Sequence, residues 1–490
     1  MNVTVADLVN WSRCPFSYWC RKQPELRPAG RGGTGYGPAG WGSTGGGRPQ
    51  VTFGGIVHAT LKAFFARPGP YRTPQALLQA YEEAWSQATG RPECGTPSQT
   101  GTETGFADEE ERQHWYREGT RLLLAYASRR GLAEVRVRYR DVFMQVAVGG
   151  HVVGGRLDRV DELEEGILRL VDYRTGRFLP HLVAHGELDL TAAVYALLAL
   201  KQWGASQVEV VYDYLRPDEQ WVAVFTRGQL PELERQVESV VSGLGRERTF
   251  LPAENELCPV CDYRALCPVS PLDQLLSHPA GAAVGEVPMA LEKLVESHPL
   301  PPLLARLGQV YLFNDQYELA LGVATRAVDE AREYPVARRQ AAAALMALGR
   351  PQEAVEHLRA AWQATAPAHL PPAAAQPSPT QPPPAQSCLA QSRLELGMAL
   401  AEALLAVAQS LDPTDPAACA CVDEGRAVLH EALAGLPPEL LPEPPADGLR
   451  AGDGVAWEYL APALESRVRD LLLRLAFLPP GLSAIGQEMP

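Results

Sequence analysis

The stretch from Gly154 to Arg177, GGRLDRVDELEEGILRLVDYRTGR, constrains the fold more tightly than any other part of the chain. Two runs rich in β-branched and aliphatic residues, Val152 to Leu163 and Ile167 to Tyr173, flank Glu164-Glu165-Gly166, the composition of two strands joined by a turn. Each arm carries a carboxylate: Asp158 in the middle of the first, and Asp172 after the apolar Leu168, Leu170 and Val171 in the second. Carboxylates buried against one another repel unless a cation neutralises them. Two of them on adjacent strands can hold a hard divalent ion such as Mg²⁺ or Mn²⁺ for phosphodiester chemistry. The competing reading is a set of solvated charges beside a turn. For Asp161, Glu162, Glu164 and Glu165 that solvated reading is the expectation; for Asp158 and Asp172 spacing alone leaves both open.

A chain of 490 residues is too long for one core, so two or three domains are expected. No apolar run reaches the ~18 residues of a membrane span, and Met1 to Asn10 lacks a basic start and a long apolar run, so a cytoplasmic, membrane-free protein is expected. Nine cysteines in a chain of this length point away from a disulfide framework and toward metal binding wherever they cluster. The net charge of −14 argues against indiscriminate binding to nucleic acid, but it is uneven. Met1 to Ser270 holds 30 basic and 32 acidic residues, the remainder 14 and 26, so a basic groove is possible only in the first part.

Along the chain, Val5 to Cys20 carries Cys14-Pro15-Phe16 and Tyr18-Trp19-Cys20. Pro28 to Pro49 contains ten glycines in 22 residues and cannot bury enough surface to fold, so 28–50 is expected to be a flexible insertion. FGGIVHATLKAFF, Phe53 to Phe65, has the periodicity of an amphipathic helix bearing His58. Helices are also expected over Thr73 to Ala88 and Asp108 to Arg129, with a polar loop containing Cys94 between them. Ala133 to Val148 alternates as a strand, and its Arg136, Arg138 and Arg140 could face phosphates or simply solvent. Leu188 to Leu200 reads as a strongly apolar helix, Val208 to Leu215 and Trp221 to Phe225 as strands, and Gln229 to Leu244 as a helix. Cys258, Cys261 and Cys267, in the spacing C-x₂-C-x₅-C, form a compact thiolate cluster that lacks a fourth ligand.

Taken together these motifs resemble the RecB-type branch of the PD-(D/E)xK nuclease superfamily, which includes AddB-like and CRISPR-associated exonucleases. The hairpin follows its pattern G-x-[IL]-D-R-[IV]-D and then [IVL]-[VI]-D-[YF]-K-T-G, except that Arg174 stands where the family carries lysine. The resemblance implies an α/β restriction-endonuclease-like nuclease core, a mixed sheet flanked by helices. It implies that Asp158, Asp172 and His58 ligate Mg²⁺ or Mn²⁺, and that Arg174 and Tyr195 complete the catalytic set, with Thr191 standing where a glutamine is expected. It further implies that Cys14 joins Cys258, Cys261 and Cys267 around a [4Fe–4S] cluster. Cys20 is the other candidate for the fourth ligand, and Zn²⁺ the alternative occupant. The substrate implied is DNA, cut as an exonuclease on single-stranded ends. Arginine keeps a positive charge but cannot exchange protons, so a catalytically inactive DNA-binding scaffold is the competing class.

From Pro301 the pattern changes. Leu304, Leu307-Gly308, Tyr311, Ala320, Ala324 and Ala327 recur 34 residues later as Ala341-Ala342, Leu345, Gly349, Ala354, Leu358 and Ala361, a spacing that fits tetratricopeptide (TPR) repeats. The expected organisation is a nuclease domain over 1–270, a linker over 271–300 and TPR-like repeats over 301–365. A Pro-rich linker over 366–386 and a degenerate TPR-like segment over 387–480 complete it. An all-α half of this kind implies a protein partner. The chain has no Walker A sequence, so a helicase motor, if one is the partner, is a separate protein.

Overall fold

A computed structural model describes residues 1–26, 49–89, 106, 108–129, 131–176, 187–255, 257–270, 272, 286–365, 384–411, 415–434 and 471. The expected insertion at 28–50, the Pro-rich linker at 366–386, the loop holding Cys94 and the end of the degenerate repeat therefore lie largely or wholly outside the described residues, whereas the linker expected over 271–300 is described from Glu286 and is helical over Glu286–Ser297. Two compact units divide the chain, Met1–Arg248 and Thr249–Pro490. Among the described residues no helix is long and apolar enough to cross a membrane.

The first unit is built on a six-stranded mixed sheet. Its strands are β1 (Asn2–Thr4), β2 (Val137–Val148), β3 (His151–Glu164), β4 (Ile167–Arg174), β5 (Gln207–Tyr214) and β6 (Glu219–Thr226). Helices α1 (Val5–Arg13), α2 (Pro15–Lys22), α3 (Pro49–Ala66), α4 (Pro74–Thr89), α5 (Glu109–Ala127), α6 (Glu187–Trp203) and α7 (Leu230–Arg246) complete the unit. The hairpin β3–β4 turns through Gly166, whose φ of +78° is open to glycine at no steric cost. β4 and β5 are parallel, and the crossover between them contains α6.

Alternation on the strands sends side chains to two cores. On one face Val153, Leu157, Leu168, Leu170, Val208 and Val210 pack with α1, α6 and α7. On the other Val171, Tyr173 and Val211 meet Ile56, Val57, Leu61 and Phe65 of α3 together with α4 and α5. Ala192 through Leu200 are all buried, which is why α6 reads as apolar on every side. The mixed sheet flanked by helices and followed by an all-helical half is the architecture expected of a restriction-endonuclease-like chain.

In the second unit, helices α8 (Glu286–Ser297), α9 (Pro301–Phe313), α10 (Tyr317–Glu330), α11 (Pro335–Ala347), α12 (Pro351–Ala364), α13 (Pro384–Ser410) and α14 (Pro416–Ala434) follow one another. α9 and α11 begin 34 residues apart, as do α10 and α12. The turns inside the two pairs use left-handed residues at the same repeat position, Asp315 (φ +56°) and Gly349 (φ +71°). The segment carrying Cys258, Cys261 and Cys267 also belongs to this unit.

Candidate active site

The site forms where the β3–β4 ladder stops. The last paired rung is Arg159–Val171, and β1 pairs with β3 only at Val152 to Gly154. That edge of β3 is therefore unpaired over Gly155 to Asp158. A Cβ on Gly155 would stand 2.6 Å from Val5 Cγ2 and 2.9 Å from a ring carbon of Tyr195, so the close approach of α1 and α6 here requires glycine. At the fork the Tyr173 backbone N–H, which lies just past the end of the ladder, donates instead to Asp158 Oδ2 at 2.8 Å.

His58 reaches the fork from α3. Its Nδ1 lies 2.8 Å from Asp158 Oδ1. A carboxylate can only accept, so Nδ1 carries the proton and Nε2 is the ring nitrogen left for a ligand or a second proton. Burial pulls the imidazole pKa down, but the Asp158 hydrogen bond and the charges of Asp158 and Asp172 outweigh it, holding it above its ordinary value. Asp172 is 14 % exposed and Arg174 NH2 donates to its Oδ2 at 2.7 Å. Burial, with the neighbouring Asp158 charge adding to it, raises the Asp172 carboxyl despite Arg174. The Arg174 guanidinium also lies over the Tyr212 ring at 5.2 Å, and its Nε is buried without a hydrogen-bond partner.

The structure thus brings together His58, Asp158, Asp172 and Arg174. Tyr195 stands one layer back, where its hydroxyl donates to the Arg156 carbonyl at 3.1 Å and supports β3. The donor set suits a hard divalent cation: two carboxylates and an imidazole, with a charge repulsion between Asp158 and Asp172 that such an ion relieves. Among the described residues no three His, Cys, Asp or Glu side chains form a ready cage. Each carboxylate is engaged by a cation or imidazole of the chain itself.

A cavity of about 230 Å³ opens at the fork, walled by His58, Lys62, Arg140, Asp141, Asp158 and Arg159 among others. Asp172, Arg174 and Tyr195 are not in its wall. Sequence reasoning passed over Lys62, although its spacing of one turn from His58 on an amphipathic helix was a usable signal.

Asp161 corrects an expectation. It is 3 % exposed rather than a solvated charge beside the turn. Arg159 Nε donates to both its carboxylate oxygens, at 2.9 and 3.0 Å. The same guanidinium reaches the hydroxyls of Tyr126 and Tyr173 and lies 4.0 Å from the Phe65 ring centroid. Sequence alternation could place Arg159 and Asp161 on one face of β3 but could not reveal their burial, because the side chains that cover the pair come from three other elements.

The cysteines are divided between the units. Cys14 lies in the first, at the N-cap of α2, where its Sγ accepts from the Ser17 N–H at 3.4 Å. Cys258, Cys261 and Cys267 lie in the second, on two short 3₁₀ turns. All four are thiols outside any disulfide. Their segment is tied down by the buried Arg306, which donates to the carbonyls of Ala265 and Ser270, each at 2.8 Å.

The sequence model of the PD-(D/E)XK nuclease superfamily matches residues 2–268, more than half of the chain. Among solved structures, the chain is similar to a candidate exonuclease from Eubacterium rectale, with 12% identity and a TM-score of 0.32 over 53% of this chain and 86% of that one. It is also similar to the protein SSO0001, with 15% identity and a TM-score of 0.24 over 55% of this chain and 85% of that one. No curated protein matches it.

Proposed function

Because the chain belongs to the PD-(D/E)XK nuclease superfamily, we propose that its first unit is a metal-dependent deoxyribonuclease of the RecB type, acting as an exonuclease on single-stranded ends. The observation that carries this reading is the fork, where Asp158 and Asp172 bear on each other electrostatically and His58 bonds to Asp158. Asp158, Asp172 and His58 would hold Mg²⁺ or Mn²⁺, the divalent ions typical of the superfamily. Such an ion, when bound, lowers the pKa of water and stabilises charge on a phosphoryl oxygen. Asp158 fixes the His58 tautomer, and Tyr195 braces β3 behind the site. Arg174, close to Asp172, supplies positive charge where the family carries lysine but cannot relay a proton.

The test is cleavage of labelled single- and double-stranded DNA with Mg²⁺ or Mn²⁺ by anaerobically purified protein, beside Asp172→Ala and Arg174→Lys. Metal-dependent cutting that Asp172→Ala loses supports the reading. No cutting by any of the three overturns it for the isolated chain. A second reading, a nuclease-derived scaffold without activity, draws on the Arg174–Asp172 ion pair, which occupies a carboxylate that metal would need. A scaffold shows no Mn²⁺-dependent rise in melting temperature.

Cys14, Cys258, Cys261 and Cys267 would hold a [4Fe–4S] cluster, or Zn²⁺ in its place, stapling the ends of the nuclease domain without redox work in cleavage. Iron, zinc and sulfide analysis of anaerobically purified protein distinguishes the two. The 34-residue helical period of the second unit supports a TPR-like surface that binds a protein partner, with a separate helicase as the candidate.

A further inference from the structure

The cations of the fork are not distributed as the motif suggests. Arg174, at the motif's lysine position, is bound to Asp172, lies over Tyr212 and does not wall the cavity. Arg159 does wall it, but Asp161 and two tyrosines engage its guanidinium. Lys62 also walls it, one helical turn beyond His58 on α3, with its side chain 56% exposed.

What places Lys62 is Asp141. On β2, the rungs Arg140–Arg159 and Val142–Leu157 are paired, and the position between them sets Asp141 opposite Asp158. Asp141 has a φ of +49°, a left-handed conformation in mid-strand that costs free energy for any residue but glycine. In this conformation one carboxylate oxygen accepts from Lys62 and the other from Arg156, the latter at 2.7 Å. A strained acidic residue thus ties two exposed cations at the edge of the cavity that contains Asp158.

We infer that Lys62 is the site's phosphate-contacting lysine, its ammonium meeting a backbone phosphate of a single-stranded substrate, and that Asp141 is its positioning residue. The inference rests on the nuclease reading of the same cavity. An incoming phosphate competes with Asp141 for Lys62 and Arg156, so the carboxylate both aims the cations and sets the affinity a phosphate must exceed.

The test uses the full-length protein with Mn²⁺ and a fluorescent single-stranded oligonucleotide, read both as binding against salt and as cleavage. Lys62→Met is expected to flatten the slope of log K against log salt by about 0.7, the value for one phosphate contact on a single strand. It is expected to lower kcat by roughly 10²-fold, the scale of losing one positioned donor to a developing anion, with Lys62→Arg restoring the slope. Asp141→Asn tolerates the left-handed backbone. It is expected to lower both Kd and kcat several-fold, a split that simple unfolding would not produce.

An unchanged slope in Lys62→Met overturns the inference, whether or not the wild type cuts. So does the same slope loss appearing in Arg140→Met instead, or no oligonucleotide binding at all. A protein that binds through Lys62 but cuts under no condition upholds the contact and removes the nuclease reading.

Discussion

Two polar clusters sit a residue or two apart on the same hairpin, and they are built to opposite ends. Around Arg159 and Asp161, on one face of the sheet, every charge has a partner. The guanidinium shares its Nε–H between both oxygens of one carboxylate and meets two tyrosine hydroxyls and an aromatic face. Around Asp158 and Asp172 two carboxylates bear on each other, one imidazole is drawn upward in pKa, and a guanidinium Nε is left buried without a partner. The first cluster is closed and stabilises the hairpin. The second keeps two carboxylates bearing on each other at the fork, which suits the cation proposed to bind there. Identity of residue type says nothing about which cluster is which; saturation does.

If the comparison holds, substitutions in the two clusters have opposite signatures. Asp172→Ala is expected to lower metal-dependent cleavage by roughly 10³-fold, about 4 kcal/mol of barrier. The metal-free Asp172→Asn protein should melt no lower than wild type. The sign follows from Asp172's raised pKa: the stability linked to its neutral form is present at low pH and lost as pH rises through that value, so a neutral isostere keeps it. Arg159→Met should do the reverse. It leaves Asp161 charged and buried and is expected to cost about 3–5 kcal/mol in denaturant unfolding of the metal-free protein. If Arg159→Met is neutral, the closed cluster is not structural.

Gly155→Ala probes the packing beneath the fork. A methyl group there collides with Val5 and Tyr195, and overpacking of this kind costs about 1–3 kcal/mol, measurable as a lower denaturation midpoint. The smallest effect concerns pH. The His58 pKa is raised above 6.5, so the stability from its charged pairing is complete below about pH 6.5 and fades as pH climbs through the raised value. The gap in melting temperature between metal-free wild type and His58→Gln should therefore narrow from pH 5.5 to 8.5. A gap that is constant with pH would show that the pairing does not involve a protonated imidazole.

Much of this was legible in the residues. The hairpin, its turn at Gly166, the apolar α6 and the 34-residue helical period follow from local periodicity and turn chemistry. His58, Asp158 and Asp172 were readable because a motif keeps them at fixed distances from apolar runs. Lys62, Asp141 and the burial of Asp161 were not: Lys62 and Asp141 are 79 residues apart on different elements, Arg156 reaches Asp141 from the next strand, and the Arg159–Asp161 pair is covered by side chains of three other elements.

The sequence alone therefore determined the elements, the order of the motifs and the chemical types available at the fork, because these depend on neighbours within a few turns of chain. The tertiary structure alone decided which charges are satisfied. It directed Arg174 onto Asp172, closed Arg159 upon Asp161, and set Lys62 in the cavity wall. Arg174 and Asp172, like Arg159 and Asp161, stand two apart on one strand, so alternation puts each pair on one face; the desolvation that other elements impose on them, and the reach of Lys62 to Asp141, are carried by no local pattern.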